Sequence, residues 1–168
     1  EKAHELALEL NQKNQQRQRM TEEMQQLARD RIESVGKHRQ KLVVVAGEEY
    51  AQGVVGLVAS RLVGVWNRPV IVLARGETMS SGSARSIQDF NIIQAMTECS
   101  DVFERFGGHS MAAGMTIKNE RLAELEERLL AIAEQKLSDD MLRSTLYIDA
   151  EVGMDRLHWD LIEELALL

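Results

Sequence analysis

The segment Gly82-Ser83-Ala84-Arg85-Ser86 sets a hydroxyl and a guanidinium two residues apart. In an extended chain alternate residues share a face, so Ser83 and Arg85 point one way, and the small Gly82 and Ala84 the other. A hydroxyl donor beside a planar guanidinium fork makes a good cradle for a terminal phosphate. A solvated edge strand with a glycine bulge would use the same residues. A second segment, Phe106-Gly107-Gly108-His109, runs into Ser110-Met111-Ala112-Ala113-Gly114. The paired glycines permit positive φ and a tight turn, which would present His109 uncovered at a strand entrance. There an imidazole can donate a hydrogen bond to a phosphate or pass a proton. The alternative is a plain Gly-Gly turn with an incidental histidine. Beyond it, Ser110, Ala112, Gly114 and Thr116 form a small face able to accept a ligand or another backbone. Met111, Ala113, Met115 and Ile117 form the core face. Third is Arg61. On a helix over 53–65, Val54, Val58, Leu62 and Val65 set the apolar face, and Arg61 falls inside that arc. A guanidinium there needs a structural partner or a ligand phosphate, unless it snorkels at the helix C-terminus.

Positioning these groups requires a layered scaffold. Residues 2–34 contain no Gly or Pro and carry Leu6, Leu10, Met20, Met24, Leu27 and Ile32 at helical spacing, interrupted by the polar stretch 11–19. A stretch polar all round often bridges two bodies through solvent. Gly36 ends this helix. Residues 42–46 and 69–74 read as strands buried on both faces, and the helix between them predicts a parallel crossover. Residues 78–87 predict a third strand, 92–99 a short helix and 110–118 a further strand. Asn119 is expected to cap a long helix with the buried stripe Leu122, Leu125, Leu129, Ile132 and Ala133. Residues 146–148 predict a short strand, followed by a helix from Asp155. The fold class is α/β: a mixed β-sheet flanked by helices and preceded by a long N-terminal connecting helix.

The net charge of −7 argues against a broad duplex-DNA footprint. Most of it is local, because residues 119–168 carry thirteen acidic against five basic side chains. Residues 53–118 carry six basic against five acidic ones, which leaves room for a local phosphate site. The lone Cys99 excludes an intrachain disulfide, fits a cytoplasmic setting and reads as a small buried hydrophobe. No apolar run is long enough to cross a membrane, so no membrane partner is expected. Neither a signal peptide nor an initiator methionine opens the chain, and its far end stops inside an apolar helical run, so both ends read as cuts through a longer protein. Phosphate-loop, dinucleotide and metal-ligand spacings are all missing from the sequence. His4, His38, His109 and His158 lie far apart, whereas a two-metal centre needs several close Asp and His ligands.

In order, Gly-Val-Val-Gly-Leu-Val-Ala-Ser-Arg (53–61), Arg-Pro-Val-Ile-Val-Leu (68–73), Gly-Ser-Ala-Arg-Ser (82–86) and Arg-Phe-Gly-Gly-His-Ser-Met-Ala-Ala-Gly (105–114) resemble the DHH-associated domain of RecJ-type exonucleases. Leu10, Asn14 and Arg17 match the Leu-x-x-x-Asn-x-x-Arg spacing of that family's connecting helix. Ala51-Gln52 departs from it, since His-Pro or Asn-Pro is common there. The resemblance implies a connecting helix at 1–36, a DHH-associated substrate-binding domain at 37–145, and a strand and truncated helix at 146–168 that close the catalytic core. It implies the substrate-binding part of a 5′-to-3′ single-stranded-DNA exonuclease serving repair and recombination. Ser83 and Arg85 match positions holding the 5′ phosphate, and Arg17 is a further candidate for that pocket. His109 matches a contact to the reacting phosphate, where a donor stabilises developing charge. Arg61 matches a family position serving either ligand contact or structural support. Gly82, Gly107, Gly108 and Gly114 shape the site. Manganese or magnesium would be bound by a separate DHH domain and none by this segment, which alone is expected to be inactive. Expected partners are single-stranded DNA and, in the same chain, the DHH and oligonucleotide-binding domains. Relatives leave two alternatives: a phosphodiesterase for short RNA or cyclic dinucleotides, and a non-catalytic nucleic-acid-binding module. The two-glycine run before His109 and the small Ala84 favour the RecJ branch.

Overall fold

The computed structural model describes residues 2–146 and 148–167. Helix α1 (Lys2–Ser34) runs unbroken, as its lack of Gly and Pro predicts, and stops where Gly36 adopts a left-handed φ of +75°. Strand β1 (Val43–Gly47), helix α2 (Val55–Trp66) and strand β2 (Val70–Arg75) form the expected parallel unit. Strand β3 (Met79–Arg85), helix α3 (Ile92–Glu98), strands β4 (Arg105–His109) and β5 (Ala112–Lys118) and helix α4 (Leu122–Lys136) complete the body. The sheet order is β1-β2-β3-β5-β4, parallel only between β1 and β2.

Helices cover the two faces of this sheet unequally. On one face Val43, Val45, Val70 and Val72 pack with Ala28 and Ile32 of α1 and Val55, Val58 and Leu62 of α2. On the other, Val44, Ile71, Leu73, Ala84, Ala113, Met115 and Ile117 pack with α3 and with Leu125, Leu129 and Ala133 of α4. Strands β1 and β2 are thus sandwiched, which explains their apolar runs. On the α1–α2 side the start of α2 reaches β3, and β5 and β4 beyond it lack that cover, with small or polar residues on this face. The free edge at β1 is guarded by cations. Lys37 Nζ donates to Val44 O (3.4 Å) and Arg31 Nη1 to Ala46 O (2.8 Å), each also paired with a carboxylate, Glu126 and Glu49.

Three expectations fail for physical reasons. Asn119 does not cap α4: it lies in a 3-10 turn (Asn119–Arg121), and α4 begins at Leu122. Its side chain instead donates to Gly76 O and Glu77 O and accepts from Ser80 Oγ, tying down the β2–β3 turn. The strand expected at 146–148 does not form at Leu146 or Ile148, which are exposed and find no ladder partner. Tyr147 lies outside the described residues. The helix expected from Asp155 starts later, as α5 (Trp159–Leu165), capped by His158 Nδ1, which accepts from the Leu161 N–H.

Buried positions on α1 are confined to its second half, at Thr21, Ala28 and Ile32, whereas Leu6 and Leu10 are exposed. Hydrogen exchange on the monomer should therefore show weak protection before about residue 19 and strong protection over 21–34. Uniform strong protection along α1 would contradict this. Cys99 is fully buried, and burial pushes its thiol up to about 11. Iodoacetamide at pH 8 should label it only after unfolding, because the thiolate is the nucleophile. Rapid labelling of the native chain would refute that.

Candidate phosphate-binding site

Register assembles the site from three strands. Arg85 and His109 both pair with Ala112, Ser83 and Gly107 both pair with Gly114, and Ser81 and Arg105 both pair with Thr116. Directly paired residues share a face, so nine positions form three parallel rows on the α2 side of the sheet. A cavity of about 680 Å³ lies over the Ser83 and Ser81 rows and is bounded by Gln52, Gly53, Val55 and Gly56 at the start of α2. Its lining includes no carboxylate, and Arg105 is its one charged side chain. The opening turn of α2 adds backbone N–H groups without intrahelical partners, and the positive end of its dipole.

Ser83 lines this cavity, and Arg85 stands beside it next to Gly56 of α2, just outside the lining. Arg85 Nη1 donates to Ser83 Oγ (2.6 Å) and to Ala84 O (2.8 Å), which fixes the plane of the guanidinium. The shared-face expectation for the two residues therefore holds. Gly56 keeps them accessible, because a Cβ there would stand 2.9 Å from Arg85 Nη2 and 3.3 Å from Ser83 Oγ. Arranged in this way, a hydroxyl, a guanidinium edge and a helix start favour a phosphate over any cation.

The glycines act differently from expectation. Gly107 and Gly108 do not make the turn; they lie within β4, and residues 110–111 turn the chain into β5. The tight spacing is between backbones: a Cβ on Gly108 would fall 2.2 Å from Ala112 O, and one on Gly82 would fall 2.5 Å from Val72 O. Gly107 and Gly114 instead floor the cavity, with no atom nearer than 4.0 Å to an added Cβ. His109 is exposed at the end of β4, in the same row as Arg85. Thr116 and Ala112 hold the small face as expected, while Met111, assigned to the core face, is exposed at the turn.

Two arginines expected near the phosphate are elsewhere. Arg61 is exposed, and its Nη1 donates to Gln25 Oε1 of α1 at 3.2 Å. The buried arc of α2 is Val55, Val58, Ala59 and Leu62, which turns Arg61 and Val65 outward. Arg17 lies on the exposed half of α1 and bonds Asn14 Oδ1 at 2.7 Å. Sequence reading missed Arg105, Ser81 and Gly56, whereas Thr116 belongs to the small face it expected to accept a ligand. Period-2 alternation through 105–109 would have put Arg105 on the face of Gly107 and His109, had that segment been read as a strand.

Among the described residues no three His, Cys, Asp or Glu side chains gather in a way that could hold a metal ion. No described helix is long and apolar enough to cross a membrane. Residues 39–139 match the family described as the DHHA1 domain. The chain belongs to that family. The DHHA1 chain is 40% identical to the single-stranded-DNA-specific exonuclease RecJ of Bacillus subtilis over 99% of its length, and 31% identical to that of Escherichia coli over 88%. It spans 21% and 27% of those proteins. A manganese complex of Thermus thermophilus RecJ superposes with a TM-score of 0.66 at 30% identity, over 76% of this chain and 18% of that one. An exonuclease RecJ bound to manganese gives 0.67 at 29% identity, over 79% and 32%. The resemblance to the RecJ-type DHH-associated domain is thereby borne out, as is the mixed sheet.

The two kinds of glycine respond differently to a methyl group. Gly56→Ala should leave urea stability within about 1 kcal/mol, since alanine favours a helix and only the flexible end of Arg85 must move. Its affinity for a phosphorylated ligand should fall. Gly108→Ala must displace backbone and should cost about 1–3 kcal/mol. Equal stability of the two variants would contradict this division.

Proposed function

We propose that this DHHA1 chain is the substrate-binding part of an exonuclease that hydrolyses single-stranded DNA stepwise from the 5′ end. The observation that carries this reading is Ser83 lining a carboxylate-free cavity with the Arg85 guanidinium hydrogen-bonded to its hydroxyl, in a chain whose relatives are named single-stranded-DNA-specific exonucleases. In this reading the Ser83 hydroxyl, the free edge of Arg85 and the first turn of α2 hold the 5′-terminal phosphate, a group that does not react. His109 stands two strand spacings away in the same row, about 10 Å between Cα atoms. A strand anchored at Arg85 can therefore bring its next phosphate to the imidazole, which donates a hydrogen bond to charge that grows in the transition state. Cleaving the bond from phosphorus to the 3′ oxygen releases a nucleoside 5′-monophosphate and leaves a new 5′ phosphate on the shortened strand. The cradle then holds that group in the next cycle.

Solved RecJ proteins contain manganese or magnesium. The cavity here offers hydroxyls, the Gln52 amide and the Arg105 guanidinium and no carboxylate, a set that does not fit a cation. The reading assigns the metals to a DHH domain outside this segment, with an oligonucleotide-binding domain as the other neighbour and cytoplasmic DNA repair and recombination as the setting. Arg61 serves in it as a tie between α2 and α1, and Arg17 as a residue of the connecting helix.

In the whole enzyme Arg85→Ala should weaken engagement of 5′-phosphorylated ends by about ten- to a hundredfold and shrink the preference over 5′-hydroxyl ends. His109→Ala should lower turnover by about a hundred- to a thousandfold with little change in binding. Steady-state kinetics on matched phosphorylated and hydroxyl-ended oligonucleotides check both. Exchanged effects would reverse the roles, and wild-type behaviour of both variants would overturn the reading.

A further inference from the structure

We infer that Arg105, Ser81 and Thr116 form a second anion subsite, which holds an internal backbone phosphate of the bound strand. The inference rests on the reading of the occupant as a phosphorylated single strand, and it adds a contact beyond the terminal cradle.

Cross-strand register puts the three side chains in one row, on the face of Ser83 and Arg85. All three line the cavity. Ser81 Oγ and Thr116 Oγ1 are 3.4 Å apart, so the pair makes only a long mutual hydrogen bond and keeps donor capacity for a ligand. Among the described residues Arg105 makes no ion pair or side-chain hydrogen bond, while the adjacent Glu104 carboxylate faces Lys118 at 3.6 Å, outside the cavity lining. A free guanidinium beside two hydroxyls repeats the chemistry of the Ser83–Arg85 cradle.

Spacing makes this a separate subsite. Same-face positions along a strand step by about 6.8 Å, so the Arg105 row lies about 13 Å along the strands from the Arg85 row. No single phosphate reaches both. Between them lies the row of Gly107 and Gly114, whose missing side chains leave a floor over which a strand can pass. A volume of about 680 Å³ is also far more than one phosphate fills. A ligand bearing several phosphates in sequence can fill the cavity from Arg105 across the floor to Ser83 and reach Arg85 just beyond its lining.

The test is an NMR titration of the 168-residue chain with thymidine 5′-monophosphate and with 5′-phosphorylated thymidine oligonucleotides of two, three and four residues. Wild-type affinity should rise with length by about tenfold at low salt, the size of one modest charge-assisted contact. Arg105→Ala should remove that rise and leave monophosphate affinity unchanged, and Arg105→Lys should keep most of it. The salt slope for the longest ligand should fall by about 0.7, one phosphate of a single strand. Replacing the responsible phosphate with a neutral methylphosphonate should reproduce the Arg105→Ala affinity in wild type and add nothing in the variant. If Arg105→Ala follows wild type at every length while Arg85→Ala loses the monophosphate, the second subsite falls and the terminal cradle stands. If the monophosphate still binds after Arg85→Ala, the cradle falls, and the length dependence of Arg105→Ala decides the second subsite by itself.

Discussion

The closeness of α2 to β3 at one point governs the shape of this site. Gly56 lies over the Arg85 guanidinium and the Ser83 hydroxyl so closely that a methyl group there would push the end of the Arg85 side chain aside. Because nothing projects from the helix there, its first turn can share a cavity with a strand that carries polar residues. The pose of Arg85 follows from the same contact, since one nitrogen is spent on Ser83 and Ala84 while the other remains on the Gly56 side. Preorganisation of this kind lowers the entropy lost when an anion binds.

The half-covered sheet is the second consequence. Val70 and Val72 of β2 are buried under α2, but their β3 neighbours on that face are Arg85 and Ser83. Apolar area falls sharply from β2 to β3, and with it the hydrophobic gain that would hold another helix there. The opposite face loses nothing: Ala84, Ala113, Met115 and Ile117 remain in the core with α3 and α4. One strand thus serves two purposes by alternation, core on one side and ligand surface on the other.

That alternation also decides what was legible in the sequence. The ends of α1, the apolar β1 and β2 and the shared face of Ser83 and Arg85 follow from local rules, because glycine placement and period-2 spacing are local properties. The α4 stripe was readable for the same reason. Strand β4 was not, since Arg105-Phe106-Gly107-Gly108-His109 has little apolar area and poor β-propensity. It becomes a strand because β5 pairs with it, and its glycines admit close backbone contact. Arg61 was misplaced because the apolar arc was extended to Val65, which is exposed, whereas Val54, Val58 and Leu62 are buried as read and Val55 and Ala59 join them. Asn119 was misread because its partners, the carbonyls of Gly76 and Glu77, are supplied by tertiary structure.

The acidic net charge is compatible with the proposed anion site because the sheet separates them. The acidic α4 packs on the core face, with the sheet between it and the cavity. Helix and sheet layers sit about 10 Å apart, close to one Debye length at physiological ionic strength, so solvated carboxylates beyond them are largely screened. Many are also engaged. Arg128 and Arg121 hold the Asp101 and Glu124 carboxyls below their ordinary range by hydrogen bonding, with Arg128 the larger influence on Asp101 and Arg121 on Glu124. Lys37 and Lys41 pair with Glu126 and Glu134. The potential at the cavity is therefore set by Arg85, Arg105 and the start of α2. With so few fixed positive groups, long-range steering is weak, and recognition depends on contacts made after arrival. Such a surface favours a flexible strand that threads into the groove over a rigid duplex, whose binding depends on a broad cationic face.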